Sequence, residues 1–594
     1  MRDGMKTCQH TLTDDVIYKE VVVIGNGPSG LVTSFMLAGN VPYLKEIPED
    51  LPIDEMLKAR LSNLPPGQNL YETDLLELAD GLEGRSQNPI PLLLDNLLRP
   101  CADLGIQADP LIEWRFDANK EIEHVVLGRG APGGSWHTFP PDVRTLSPAA
   151  WLTLPPHCGG STERLSARAV AAYCRRYVHS CHLQRYFRCN VVVSSVTPVS
   201  RVSPPCCPAC PRNAAFCVTG YDKCEGRGFR YLCRRVVVAC GANERPNSLC
   251  DSVASFALHS LHELESALRS NVPEPNKNIL VVGSGVSAAD AVRMSLAAGF
   301  NVLHAHRAPA ESLAKLSPLT YPDYCRVYKM MCDGPSAKHP NYTPYPDHAI
   351  VDVSHLDPQE TPPKLTHHLD DDIRPKRVKL LNLVTNQTTE LTVFIIAVFI
   401  GSKPDLFFLQ TNFDINNMDV KKCKCHEKKI DDSKCFFKNH WHYFKSVLGQ
   451  SIQSCKSRYL NYTEINGNID TKCELPDCQN RDNCTCETKA KNGLAVKECK
   501  CEVIPYSNFT RENTCQCQTA NPYSSGLGFG VDPKKPVDGR SNPVAIDKST
   551  HEMLNAPKGM YALGPLTADN FIRFIPGGAL AIVSQIHKEI KAEQ

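Results

Sequence analysis

The chain has 594 residues, long enough for two or three domains with a sizeable buried core. Its 65 Lys and Arg nearly cancel 64 Asp and Glu, leaving a net charge of +1 and no electrostatic reason to expect nucleic acid or an anionic membrane as the main partner. With 35 Gly and 45 Pro it fits a loop-rich α/β protein and not a fibrous one.

The first 20 residues carry acids and lack an apolar core, so no signal peptide is expected. No transmembrane segment is expected either: LTVFIIAVFIG, at 391–401, falls far short of the roughly 20 residues a span needs and reads as a buried parallel strand. The 28 cysteines therefore read as reduced thiols or metal ligands of a cytoplasmic protein, not as a disulfide framework.

The first specific signal in chain order is VVVIGNGPSGL, residues 21–31. An all-apolar strand runs into a glycine turn and then an apolar helix pattern through Leu37. The three glycines serve different ends. Gly25 permits the tight turn, Gly27 lets a pyrophosphate approach the backbone, and Gly30 lets helix and strand pack closely. The helix then points its positive end, with Ser29 in the first turn, at the phosphates.

Residues 41–120 form an excursion rich in Pro, Leu and acids, helical near 71–80 and 91–98. The second strand, HVVLGR at 124–129, leads to Gly133-Gly134-Ser135-Trp136. A helix near 166–178, a strand at 190–196 and the core strand YLCRRVVVACG follow.

Residues 278–310 repeat the opening pattern: strand ILVVG, turn SGVSA with Gly283, Gly285, Ser287 and Ala288, helix ADAVRMSLAA, then strand NVLHAHR. Ala288 is an accepted variant of the third glycine. An arginine at the end of the following strand suits the 2′-phosphate of NADPH, and Arg307 stands there. Residues 335–377 read as a loop or cover, and the chain closes on strand, loop and buried helix.

The expected fold class is α/β with two Rossmann-like dinucleotide-binding domains. An FAD domain would span 19–250, 391–410 and 526–590, an NAD(P)H domain 276–390, and a mobile Cys/Lys/Asn-rich insertion 411–525. Two such folds in one chain suggest hydride transfer between a nicotinamide and a flavin. In the insertion, Cys484, Cys486, Cys499 and Cys501 are the candidate metal ligands, although a metal-free polar insert is the expectation.

VVIGNGPSG, GLEGRSQNPIPLLLDNLLRP, HVVLGRGAPGGSWH, GSGVSAADAV, IGSKPDL and YALGPLTADNFIRFIPGGALA together resemble the oxidative-stress-induced growth inhibitor family, over about 19–410 and 526–588. The resemblance implies an FAD- and NADPH-dependent monooxygenase activity linked to growth restraint, cell death or cell division, with cytoskeletal or division structures as possible sites. It adds Gly564 and Asp569 as flavin-contacting candidates and Asn570 and His262 as catalytic ones. Against flavin-containing monooxygenases the chain departs in three places. Gly128 and Arg129 stand where an acid usually holds the FAD ribose. Phe256-Ala-Leu-His-Ser-Leu-His262 has Leu258 for the signature glycine, and Ser147 and Trp151 occupy the neighbourhood of the active-site Asn.

Two other readings stay open. A disulfide reductase needs a redox cysteine pair at the flavin, and only Cys325 with Cys332, or Cys207 with Cys210, offers one. A flavoprotein that keeps its fold but has lost its chemistry could act as a redox-sensing regulator or scaffold.

Overall fold

The computed structural model describes residues 16–65, 67–199, 213–249, 251–274, 277–307, 311–356, 374–410, 486–491, 494–499 and 526–593. Strand β1 (Val16–Ile24) lies between β4 (His124–Leu127) and β8 (Arg227–Val238), parallel to both. Val21, Val22 and Val23 are wholly buried, as a strand covered on both faces requires. The sheet continues through β5 (Phe187–Arg188) on one side and, on the other, β7 (Phe216–Asp222) and β6 (Val191–Pro198), both antiparallel. The last strand, Met560–Ala562, joins β8 in parallel.

Helix α1 (Pro28–Leu37) begins with proline in its first turn, where a missing N–H costs nothing, and is buried from Ser29 to Leu37. The excursion leaves through β2 (Ala38–Leu44) and returns through β3 (Ile112–Glu121), an antiparallel pair. It carries α2 (Pro89–Leu98), which packs on the C-terminal helix Ile575–Glu593. That contact needs glycine: a Cβ on Gly577 would lie 2.3 Å from Pro91 Cα. Gly577→Ala is therefore expected to lower the unfolding free energy by about 1–3 kcal/mol, read from the urea midpoint, while an unchanged midpoint would show that the helices separate freely.

The second sheet is wholly parallel, in the order β9 (Ala257–Leu258), β13 (Ile395–Val398), β10 (Asn278–Val282), β11 (Asn301–His306), β12 (Tyr342–Pro346). Its helices, which follow α3 (Ala167–Ser180) of the first unit along the chain, include α4 (Leu261–Arg269), α5 (Val286–Ala297) and α6 (Pro322–Asp333). Two expectations are corrected here. Residues 395–398, assigned to the first domain, are a central strand of the second; an all-apolar run suits the middle of either parallel sheet and does not say which. The segment read as a loop from 335 contributes β12 and the strand His348–His355. Pro344 and Pro346 disguised β12, yet proline is tolerated on an edge strand, which is where β12 lies.

Residues 402–410 do return to the first unit: Ser402–Lys403 pairs with Arg245–Pro246, and Leu406, Phe408 and Leu409 are buried beside β6 and β8. Within the insertion, Cys486–Lys491 and Leu494–Cys499 form an antiparallel pair where no element was expected. The dipeptide Asn492-Gly493 between them is the hairpin signal that reading the segment by composition passed over. The rest of the insertion, with Cys484 and Cys501, lies outside the described residues.

Candidate functional site

Three loops meet at the N-terminus of α1. Gly25 has φ +116°, and a Cβ there would lie 2.4 Å from Ala239 O at the end of β8. A Cβ on Gly30 would lie 1.9 Å from Gly25 O, so helix and turn touch backbone to backbone. Gly27 differs. A Cβ there would meet nothing within 4 Å, and no side chain caps the helix. The free N–H groups of the first turn therefore face open space, an arrangement suited to an anion.

The second loop is anchored by Gly133 N–H, which donates to Asn26 O at 2.8 Å. A Cβ on Gly134 would lie 3.2 Å from Gly27 Cα. Trp136 sits beside it, edge-on to Phe139 with ring centroids 5.7 Å apart. The third loop brings Gly564, φ +73°, so close to α1 that a Cβ would lie 2.4 Å from Ser29 Oγ. Gly25, Gly27, Ser29, Gly30, Gly133, Gly134 and Gly564 are thus assembled around one helix end, and their backbones could hold a pyrophosphate.

Asp569 faces inward and is 1 % exposed. Its carboxylate accepts from Ser86 Oγ at 2.5 Å and Asn88 Nδ2 at 2.8 Å, while its N–H donates to Gly564 O at 3.1 Å. Asn88 also donates to Thr567 O at 2.8 Å and accepts from Lys548 Nζ at 2.5 Å. Burial pushes the Asp569 carboxyl up to about 6 against the pull of these donors. The segment GLEGRSQN, residues 81–88, is therefore the clamp on the terminal loop. Sequence reading used it for resemblance and assigned no residue in it, though Ser and Asn directly before a proline-led helix were the available signal.

Asn570 is exposed and donates to Gly539 O at 3.0 Å and Ala568 O at 3.2 Å, bracing the loop. His262 is exposed on the first turn of α4, in the second unit, away from the loops that meet at α1. Trp151 lies under the Arg573 guanidinium, 4.4 Å from the ring centre, and Ser147 O accepts from Thr145 Oγ1 at 2.7 Å.

The second turn repeats the first. A Cβ on Gly283, φ +136°, would lie 2.2 Å from Phe399 O, whereas one on Gly285 would meet nothing within 4 Å. Ala288 is buried and Ser287 exposed in the first turn of α5. His304 braces this turn from β11: its Nε2–H donates to Gly283 O at 2.7 Å, and its Nδ1 accepts from Tyr342 Oη at 2.9 Å. Arg307 is exposed at the strand end. The units join where Arg164 NH1 meets Asp323 at 2.8 Å and Tyr321 Oη donates to Leu146 O at 2.5 Å.

Cys325 and Cys332 are free thiols, and Cys207 and Cys210 lie outside the described residues. Among the described residues no group of three or more His, Cys, Asp or Glu could hold a metal, and no helix is long and apolar enough to cross a membrane.

Over 378 residues the chain is 30% identical to human oxidative stress-induced growth inhibitor 2, covering 57% of this chain and 74% of that protein. This chain belongs to the oxidative stress-induced growth inhibitor family. Mouse oxidative stress-induced growth inhibitor 1 is 28% identical over 597 residues, covering 96% of this chain and 95% of its own length. Residues 171–314 match the family model of L-lysine 6-monooxygenase/L-ornithine 5-monooxygenase. Among solved structures, the chain is similar to bacillithiol disulfide reductase from Staphylococcus aureus, with 11% identity, a TM-score of 0.46, and coverage of 96% of this chain and 99% of that one.

Proposed function

We propose that this family member is an FAD- and NADPH-dependent oxidoreductase of the monooxygenase type whose reaction serves growth control. FAD occupies the Gly25–Gly30 turn and NADPH the Gly283–Ala288 turn. The observation that carries this reading is the pair of uncapped helix ends, each open above its middle glycine, with the first glycine packed against the backbone just past β8 or β13 (Ala239 O, Phe399 O). The family-model match to amine monooxygenases and the growth-inhibitor relatives support it.

The two bound groups would supply hydride transfer from nicotinamide to flavin and electron transfer from flavin to oxygen. The chain's part is positioning. First-turn N–H groups of α1 and α5 hold the pyrophosphates, Gly134 and Gly564 let their loops close on Gly27 and Ser29 at the edge of the first cradle, and Arg307 pairs with the 2′-phosphate. The Ser86–Asn88–Asp569 clamp keeps the terminal loop in shape.

The open space above Gly27 and Gly285 makes clean probes. Their φ values of −74° and −89° suit any residue, so Gly27→Ala and Gly285→Ala leave the fold intact and intrude only on a bound phosphate. Gly27→Ala is expected to lose at least tenfold in FAD affinity. Gly285→Ala is expected to keep its flavin and raise the KM for NADPH by a similar factor. A colourless natural chain that does not oxidise NADPH in air overturns the proposal. Retained flavin without NADPH oxidation selects the regulator reading instead.

A further inference from the structure

The end of β4 departs from the pattern by which dinucleotide folds read the adenosine ribose. That strand ordinarily ends in an acid whose carboxylate accepts from the ribose hydroxyls. Here Gly128 follows Leu127, and the space beside it is filled from the turn after β1: a Cβ at 128 would lie 2.1 Å from both Cγ and Nδ2 of Asn26. Asn26 is the variable residue of the Gly25-Asn26-Gly27 turn and is 4 % exposed.

Its orientation is determined. Nδ2 donates to Gly130 O at 2.7 Å and approaches Cys189 Sγ at 3.9 Å. Its backbone O receives Gly133 N–H at 2.8 Å. Oδ1 accepts from no described residue and is not sealed from solvent, so it is an acceptor open to a donor brought by a ligand. Ribose hydroxyls are donors, and they sit at this strand end in a dinucleotide fold.

We infer that Asn26 reads the adenosine ribose of the dinucleotide bound at the first turn, a neutral carboxamide from the turn after β1 replacing the acid expected after β4. The inference rests on the proposed FAD site. Asn26 and Gly128 then form one unit: the carboxamide fits only because residue 128 has no side chain, and an acid at 128 fits only if Asn26 is gone. The absent charge also explains a neighbouring feature. Arg129, beside the missing acid, finds its counter-charges in Glu244 at 2.7 Å and Asp405 at 3.3 Å, on the segments that follow β8 and β13.

The test compares, by quenching of flavin fluorescence, the affinity of the apoprotein for FAD and for the FAD analogue lacking both hydroxyls of the adenosine ribose. The natural chain is expected to prefer FAD by about tenfold, the scale of one buried hydrogen bond. In Asn26→Ala the preference is expected to fall to about one. The double variant Asn26→Gly with Gly128→Glu is expected to restore it, whereas Gly128→Glu alone loses FAD. A merely structural role for Asn26 would weaken both ligands equally and leave the ratio unchanged, overturning the inference. So would a ratio abolished by Glu244→Gln and not by Asn26→Ala, because Glu244 would then be the reader. If the natural chain binds neither ligand, the FAD site itself falls and the inference with it. FAD binding with no preference overturns the inference alone.

Discussion

Arg573→Ala is expected to lower the unfolding free energy by about 3–5 kcal/mol, the cost of leaving a buried charge without its partner. The Arg573 side chain is 3% exposed and holds Asp95, itself 4% exposed, through Nε at 2.9 Å and through NH2. NH1 reaches Asp103 at 2.9 Å, and the guanidinium lies over Trp151 and Phe574 at 4.4 and 5.1 Å. Arg99, at 3.3 Å from Asp95, is the only other cation in contact with it among the described residues. Burial already drives the Asp95 carboxyl above its usual range in spite of both arginines. With Arg573 gone, Asp95 must either protonate or admit water.

Urea unfolding at pH 7 reads the loss directly. Arg573→Lys is expected to recover only part of it, because an ammonium cannot reproduce the two-nitrogen grip or the stacking on Trp151. Arg573→Met combined with Asp95→Leu is expected to regain most of the stability, since neither charge is then stranded. A loss below about 1 kcal/mol for Arg573→Ala would show that the network is solvated and contributes little. Because Arg573 lies in the terminal block and Asp95 on α2, the same variant is also expected to loosen the Ser86–Asp569 clamp.

Stability is expected to fall steeply as pH drops from about 6.5 to 4. His124, His304 and His551 are wholly or almost wholly buried, and burial pushes their pKa values down to about 4, 3 and 4. Each is neutral in the folded chain at pH 5, whereas the unfolded chain protonates it near 6.5. The unfolded state then binds more protons, so stability is full above about pH 6.5 and declines below it by about 1.4 kcal/mol per pH unit per histidine. At pH 4 a single histidine held to about 4 contributes a loss of about 3 kcal/mol.

Asp569 works in the opposite direction. Its raised carboxyl, about 6, favours the folded state as pH falls towards the ordinary carboxylate range, and the raised carboxyls of Asp95 and Asp290 act likewise. Thermal melts from pH 8 to 4 measure the sum. His124→Gln, which keeps polar contact with Ser34 Oγ, 2.8 Å away, and Ile122 O but cannot titrate, is expected to flatten the slope by one proton's worth. An unchanged slope would mean that His124 is already protonated in the folded chain.

Much of the fold is legible in short stretches of sequence. A strand segment buried on both faces must be apolar, so the Val21–Ile24 end of β1, the Val236–Val238 end of β8 and β10 announce themselves. Gly25 and Gly283 take φ values of +116° and +136°, which a side chain would strain, and Gly27 and Gly285 stand where any side chain would fill the cradle. These are demands of the local backbone, and local sequence records them. The pattern therefore determined the two glycine turns, their helices and the α/β class.

Tertiary structure alone decided the rest. Ile395–Val398 is as apolar as any strand of the first sheet, and only its pairing with β10 assigns it to the second. Asp569 resembled a group that reaches outward to a cofactor, yet Ser86 and Asn88, more than 480 positions away, turn it inward. Arg573 and Asp95 are separated by 478 positions, and Asn26 and Gly128 compete for one volume from the turns after different strands. Backbone conformation is a property of neighbours along the chain. The partner of a buried polar group is a property of neighbours in space, which no local pattern of residues encodes.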